Sequence, residues 1–285
     1  MSLRPVRGVE GRKVRVGPVR GPAVRGLGLR LPPARMAPLH RGRPLKRWRY
    51  VAVYGPELML CVGDAHVAGV PQRWWAVALP DGTLRERTTA RRIDRAPAPG
   101  WVLIDDGDVR IELTLEEGHG VEVVSPHGGG WIWTRKQAGV PVRGKVTVGA
   151  REWAIDGRLG FVDDSAGYHA RHTTWRWSAG IGWARTGEDV AWNLVEGVHD
   201  APDASERTVW VNGEPREVAP QPFAADLSQV GDMRFDEWCV RVDHTRRGPF
   251  RSDYRQPFGV FSGMLPGGPV LEMGFGVMEW HDVRW

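Results

Sequence analysis

Between residues 163 and 180 the chain carries two carboxylates (Asp163, Asp164), two histidines (His169, His172), Tyr168 and two tryptophans (Trp175, Trp177). Acid–base groups beside large flat rings suit an apolar substrate that gains or loses a proton, because an indole face stabilises developing positive charge. A carboxyl held among rings is disfavoured in its charged form and stays protonated as a general acid. Asp164 is the candidate acid, with Tyr168 and His172 as candidates to accept or return the proton. The same residues also have structural readings. Adjacent acids before a glycine hold turns through backbone N–H groups, and indoles fill cores. His169 and His172 stand three apart, a ligand spacing on a helix, but this stretch does not read as helix and no metal site is expected.

A second cluster is Met278-Glu279-Trp280-His281-Asp282-Val283-Arg284-Trp285. On extended chain Glu279 and His281 point one way, Trp280 and Asp282 the other. Glu279 and His281 are candidates to join the central run across a sheet, an acid–base set with His172, or to make a structural ion pair. Trp131 and Trp133 form another same-face pair. With Trp175 and Trp177 they supply four indoles for one cavity or one core, and Asn193 is a candidate polar contact beside them.

The elements that must position these residues read as short strands. Candidates are 49–54, 58–62, 73–79, 101–104, 109–115, 120–124, 131–133 and 145–148, then 174–183, 190–195, 208–211, 238–243, 259–263 and 270–279. Pro80-Asp81-Gly82, Asp156-Gly157 and Asn212-Gly213 read as turns. No window keeps the helical period of 3.6, and there is no βαβ alternation. This predicts an all-β sandwich or barrel with little helix. A seam near 139–149, where Val140-Pro141-Val142-Arg143-Gly144-Lys145 looks like a connection, divides it into subdomains 41–144 and 145–285.

Hydrophobic content of 41% and charged content of 26% are those of a soluble globular protein. No apolar stretch approaches the roughly 20 residues that span a bilayer, so no transmembrane segment is expected. No apolar secretory segment follows the first arginines. Cys61 and Cys239 make no disulfide framework, and the expected compartment is the cytoplasm. The net charge of +5 is uneven: residues 1–50 hold fourteen Lys or Arg against one acid, Glu10, leaving the rest net acidic. Val-Arg-Gly recurs at 6–8, 19–21 and 24–26 among prolines, with no aromatic before Trp48. Residues 1–40 are therefore expected to be a basic tail, disordered or extended along the body. A nucleic-acid partner is not expected, the tail being the one feature that would favour it. The sequence does not specify an oligomeric state. It has no phosphate loop, dinucleotide fingerprint, paired zinc cysteines or Gly-x-Ser-x-Gly elbow, and no cofactor is expected.

Several segments together resemble the DUF2804 family: Leu45-Lys46-Arg47-Trp48-Arg49-Tyr50, Asp156-Gly157 through Asp164, Gly167-Tyr168, Thr173-Thr174-Trp175-Arg176-Trp177-Ser178-Ala179-Gly180, Asn193-Leu194-Val195-Glu196-Gly197-Val198, and residues 278–285. The resemblance covers residues 40–285, and the basic tail departs from it. The chain is more distantly similar to lipocalin-like two-domain proteins, the group of carotenoid 1,2-hydratases, AttH-type proteins and fungal decalin-forming pericyclases. In that group a turn with Asp and His precedes a Trp-rich strand; here Ser165 stands in place of the His. The resemblance implies two lipocalin-like antiparallel β subdomains around an apolar cavity. The expectation is a protein that binds an apolar small molecule (isoprenoid, polyene or lipid-like) in a Trp-lined pocket. It would act as a cofactor-free isomerase, cyclase or hydratase, or as a non-catalytic carrier.

Overall fold

The structure is a computed structural model. It describes residues 17–90, 97–248 and 250–285, except the Arg158 side chain, and the backbone of two short strands further upstream. Those two are β1 (Val6–Arg7) and β2 (Lys13–Val14), followed by β3 (Val19–Arg20), a 3-10 helix at Gly21–Leu27, and the pair β4 (Leu39–His40) and β5 (Arg43–Pro44). The main strands begin with β6 (Lys46–Tyr54), β7 (Met59–Val67), β8 (Val70–Ala78), β9 (Leu84–Thr89), β10 (Trp101–Asp106), β11 (Val109–Leu115) and β12 (Val121–His127). A long hairpin follows, β13 (Gly130–Val148) and β14 (Arg151–Gly167). The chain then runs through β15 (His172–Ala184), β16 (Asp189–Glu196), β17 (Thr208–Val211), β18 (Glu214–Glu217) and β19 (Gln229–Val230). It finishes with β20 (Met233–Arg247), β21 (Phe250–Met264) and β22 (Val270–Arg284).

The fold is all-β and antiparallel, as expected. One sheet runs β10-β11-β13-β14-β6-β7-β8-β9 with β12 and β3 attached; the second runs β18-β17-β16-β15-β22-β21-β20-β19. Hydrogen bonding closes neither into a barrel. The apolar runs follow from strands buried on both faces. In β6, Val51 and Val53 enter the first sheet's own core, while Tyr50, Ala52 and Tyr54 enter the core shared between the sheets. In β15 and β22, Trp177, Ala179 and Val277 answer them from the second sheet.

The chain passes from the first sheet to the second at residues 168–171. Val140–Lys145, expected as a connection, is the interior of β13, because the turn that ends it lies at Gly149 (φ 59). Asp156-Gly157 likewise lies inside β14 rather than in a turn: Gly157 (φ 149) pairs with Val142 at the ladder's register shift. Asn212 (φ 50) and Gly213 (φ 84) do form the expected hairpin turn.

Residues 17–40 lie on the body. Val24, Leu31 and Met36 are buried against Trp131, Trp133 and Tyr168, β3 pairs with β12, and Arg20 donates to Ser205 O and to Thr208 Oγ1 at the start of β17. The rest of the basic tail lies outside the described residues apart from β1 and β2. Both cysteines are free, and among the described residues no helix is long and apolar enough to cross a membrane.

Candidate functional site

A cavity of about 180 Å³ lies between the two sheets. Strand alternation decides which residues of the central run reach it. Asp163 and Ser165 line it, whereas Asp164 projects from the opposite face of β14, where Arg49 and Arg135 hold it at 2.9 and 2.6 Å. The expected acid is therefore outside the cavity, in an ion-pair network with Glu117. Two adjacent acids on one strand cannot share a face.

Asp163 sits on the cavity floor. Its register partner across the hairpin is Lys136, whose Nζ is 2.8 Å from Asp163 Oδ1 and 3.5 Å from Glu206 Oε1. Trp48 Nε1 and Thr134 Oγ1 also donate to Asp163, at 3.4 and 3.3 Å. Burial works against the Lys136 cation, but the two acids outweigh it and hold its pKa up. Burial, reinforced by Asp163, pushes Glu206 up to about 7, although Lys136 pulls the other way.

The facing wall comes from the second sheet. Trp175 and Trp177 line the cavity, with His281 and Glu279 as their register partners on β22. Glu279 accepts from Trp175 Nε1 (2.7 Å), Tyr254 OH (2.9 Å) and Gln256 Nε2 (3.1 Å). Burial raises its pKa, opposed by the Trp175 and Tyr254 hydrogen bonds. The His281 ring lies 4.3 Å from Trp175 and 5.1 Å from Tyr254, with Nε2 at 2.8 Å from Ser252 Oγ. Burial pushes His281 down to about 3, leaving it neutral near pH 7.

Asn193 does not line the cavity. Fully buried behind it, Asn193 accepts from Trp177 Nε1 (2.8 Å) and donates to Glu206 O (2.9 Å), which fixes the indole. Trp131 and Trp133 face the other side of β13, under the N-terminal segment. Tyr168 is also there, donating to Ala37 O at 2.8 Å. His172 is exposed and bound to Asp282 at 3.0 Å. Of the ten expected site residues the structure thus brings four to the cavity: Glu279, His281, Trp175 and Trp177.

Sequence reasoning missed Lys136, Glu206, Tyr254, Gln256 and the aromatic wall of Trp48, Tyr50 and Trp74. The Trp74 indole fits because its register partner is Gly63: a Cβ there would stand 2.1 Å from the ring. Beside Trp48 the buried His169 and His199 line the cavity and the half-buried His127 packs on His169; all three are depressed by burial and next by neighbouring cations or histidines, His127 to about 4. Among the described residues no group of three or more His, Cys, Asp and Glu is placed to hold a metal ion.

The chain is similar in structure to an AttH-like protein of Nitrosomonas europaea (12% identity, 88% of this chain and 97% of that one, TM-score 0.43). It is also similar to kievitone hydratase from Nectria haematococca (12%, 84% and 88%, TM-score 0.47) and to CghA with Sch210972 (12%, 84% and 88%, TM-score 0.41). No curated protein matches it in sequence. Residues 102–285, which carry Lys136, Asp163 and the second-sheet wall of the cavity but not Trp48, Tyr50 or Trp74, match the family model described as "Domain of unknown function (DUF2804)", and the chain belongs to that family.

Proposed function

We propose that the protein binds an apolar, unsaturated small molecule between its sheets and relocates a proton on it, with Glu279 as the acid–base group. The observation that carries this reading is Glu279 itself, a buried carboxyl on the wall of an aromatic cavity. Burial raises its pKa above that of a free carboxyl, which favours the protonated form that a general acid needs. Trp175 and Tyr254 fix its two oxygens. Trp175 and Trp177 line the same cavity, and an indole face in it would stabilise a developing carbocation. Proton removal at one carbon and return at another is an isomerisation; protonation by Glu279, ring closure and loss of a proton from the cyclic cation back to the Glu279 carboxylate is a cyclisation. Neither step draws on a redox partner.

The test begins with native mass spectrometry of the purified protein for a co-purifying apolar compound. That compound is then incubated with wild type and with Glu279→Gln. The expected result is retained binding and loss of at least about a hundredfold in turnover for the variant. Conversion at the wild-type rate by Glu279→Gln would overturn the acid–base role. A ligand recovered unaltered from wild type would make the protein a carrier.

A further inference from the structure

The cavity has a buried end and an open end. Asp163, Lys136 and Glu206 are buried at the floor, whereas lining residues Val67, Gln72, Thr88, Asp243 and Phe250 are partly or fully exposed. Two hairpin tips flank the opening. One is Val67–Val70 on the first sheet, the other joins β20 to β21 and ends at Phe250, whose ring is 5.8 Å from that of Trp285.

The first tip is apolar. Val70 is 61% exposed, and Leu39 on the adjoining β4–β5 hairpin is 59% exposed, the two most exposed large hydrophobic side chains described. The hairpins are tied by the Ala68 N–H donating to Leu45 O at 3.2 Å. The second tip is basic. Arg246, Arg251 and Arg284 follow one another across β20, β21 and β22 as direct register partners, with His172 next on β15. Like charges directly opposite on a sheet destabilise it.

The local acids are taken up at the two ends of this row, leaving Arg251 and Arg284 in its middle without an ion-pair partner among the described residues. Asp253 is engaged by Arg246 and His244, and Asp282 by His172 and Thr174. Arg47, Arg171, Arg247, Arg251 and Arg284 are exposed and make no ion pair among the described residues. Surface arginines on the strands away from the opening are commonly paired: Arg85 with Asp108, Arg87 with Asp106, Arg143 with Asp156, Arg255 with Glu237.

We propose that the open end of the cavity docks on an anionic lipid surface, the arginine row meeting the headgroups and the Val70 and Leu39 tips entering the interface. Unneutralised arginines supply attraction to anionic headgroups, and exposed aliphatic tips supply the apolar part. A nucleic acid would use the charge and leave the tips without a role. The proposal rests on the reading of an apolar ligand and gives that ligand a route that avoids water.

The test is co-sedimentation of the full chain with vesicles of phosphatidylglycerol or of phosphatidylcholine. Wild type is expected to sediment with phosphatidylglycerol, less so as salt rises, and not with phosphatidylcholine. Arg251→Ala with Arg284→Ala should weaken binding about thirtyfold, from two lost cations, without lowering the Tm, since two facing like charges are removed. Val70→Asp should weaken it as well. Glu279→Gln should bind vesicles as wild type does, so that loss of catalysis and loss of docking are separable. Absence of vesicle binding, or binding indifferent to the double variant, overturns the proposal. So does duplex DNA binding that depends on the arginines while Val70→Asp changes nothing.

Discussion

Lys136 and Asp163 face each other across the long hairpin, ammonium 2.8 Å from carboxylate, both buried. Both charges are largely withdrawn from bulk solvent, and Glu206 at 3.5 Å is the other acid within reach of the lysine. Removing one partner of a buried pair leaves an uncompensated charge, which typically costs about 3–5 kcal/mol.

Asp163→Ala is therefore expected to destabilise the fold by about that amount in urea or guanidinium denaturation. Asp163→Asn combined with Lys136→Met should recover much of the loss, because the charge that lacked a partner is gone as well. A single-variant cost below about 0.5 kcal/mol would show that the pair contributes little.

Gly63→Ala should push the Trp74 ring out of its place, since the added methyl would meet it at 2.1 Å. The expected cost is about 1–3 kcal/mol, the range for overpacking, together with weaker ligand binding, because Trp74 lines the cavity. Gly63→Ala with Trp74→Ala should recover stability. Tryptophan fluorescence during ligand titration reports the binding change, and a wild-type binding curve for Gly63→Ala would count against this account of the wall.

Between about pH 4.5 and 7 two sets of buried groups should give stability opposing slopes. His127 and His281 titrate at about 4 and 3 in the fold, against 6.5 for the free side chain. The unfolded chain thus binds more protons, and stability present above 6.5 is lost as pH falls toward those values. Each histidine contributes a slope of up to about 1.4 kcal/mol per pH unit. Glu206 has the reverse sign. It is raised from 4.5 to about 7, so its contribution is present below 4.5 and lost as pH rises through 7. In denaturation curves taken from pH 4 to 8, His281→Gln should flatten the acid limb and Glu206→Gln the limb between pH 5 and 7. Unchanged limbs would contradict the burial assigned to these groups.

Much of this architecture was legible because strands buried on two faces need long β-branched and aromatic runs, as in Tyr50–Tyr54. The same runs concealed the register. A turn at Gly149, taken alone, puts Lys136 opposite Asp163 by equal steps along the two strands. Asp156-Gly157, a stronger turn signal locally, pointed elsewhere, because a glycine at a bulge and a glycine in a turn look alike in sequence. Alternation did separate Trp175 and Trp177 from Arg176, and Glu279 from Trp280. Glu206 lies between strands, where no periodicity marks which side chain turns inward. Tyr254 and Gln256 sit on a strand whose two faces are both partly polar, so a buried polar row could not be told from a solvated one.

The two adjacent acids now allow structure and chemistry to be separated on one strand. Asp164 is bound by two arginines on the face of β14 away from the cavity. Asp164→Asn keeps the shape and removes the charge that Arg49 and Arg135 share with Glu117. The expected result is a loss of about 1–3 kcal/mol in stability, with ligand affinity and turnover unchanged at temperatures where the variant is folded. Glu279→Gln should do the reverse: little change in the denaturation midpoint, since the amide oxygen can still accept from Trp175, and a large loss of turnover. A turnover defect in Asp164→Asn at full folding would return the catalytic acid to that position, and with it a cavity quite different from the one between the sheets.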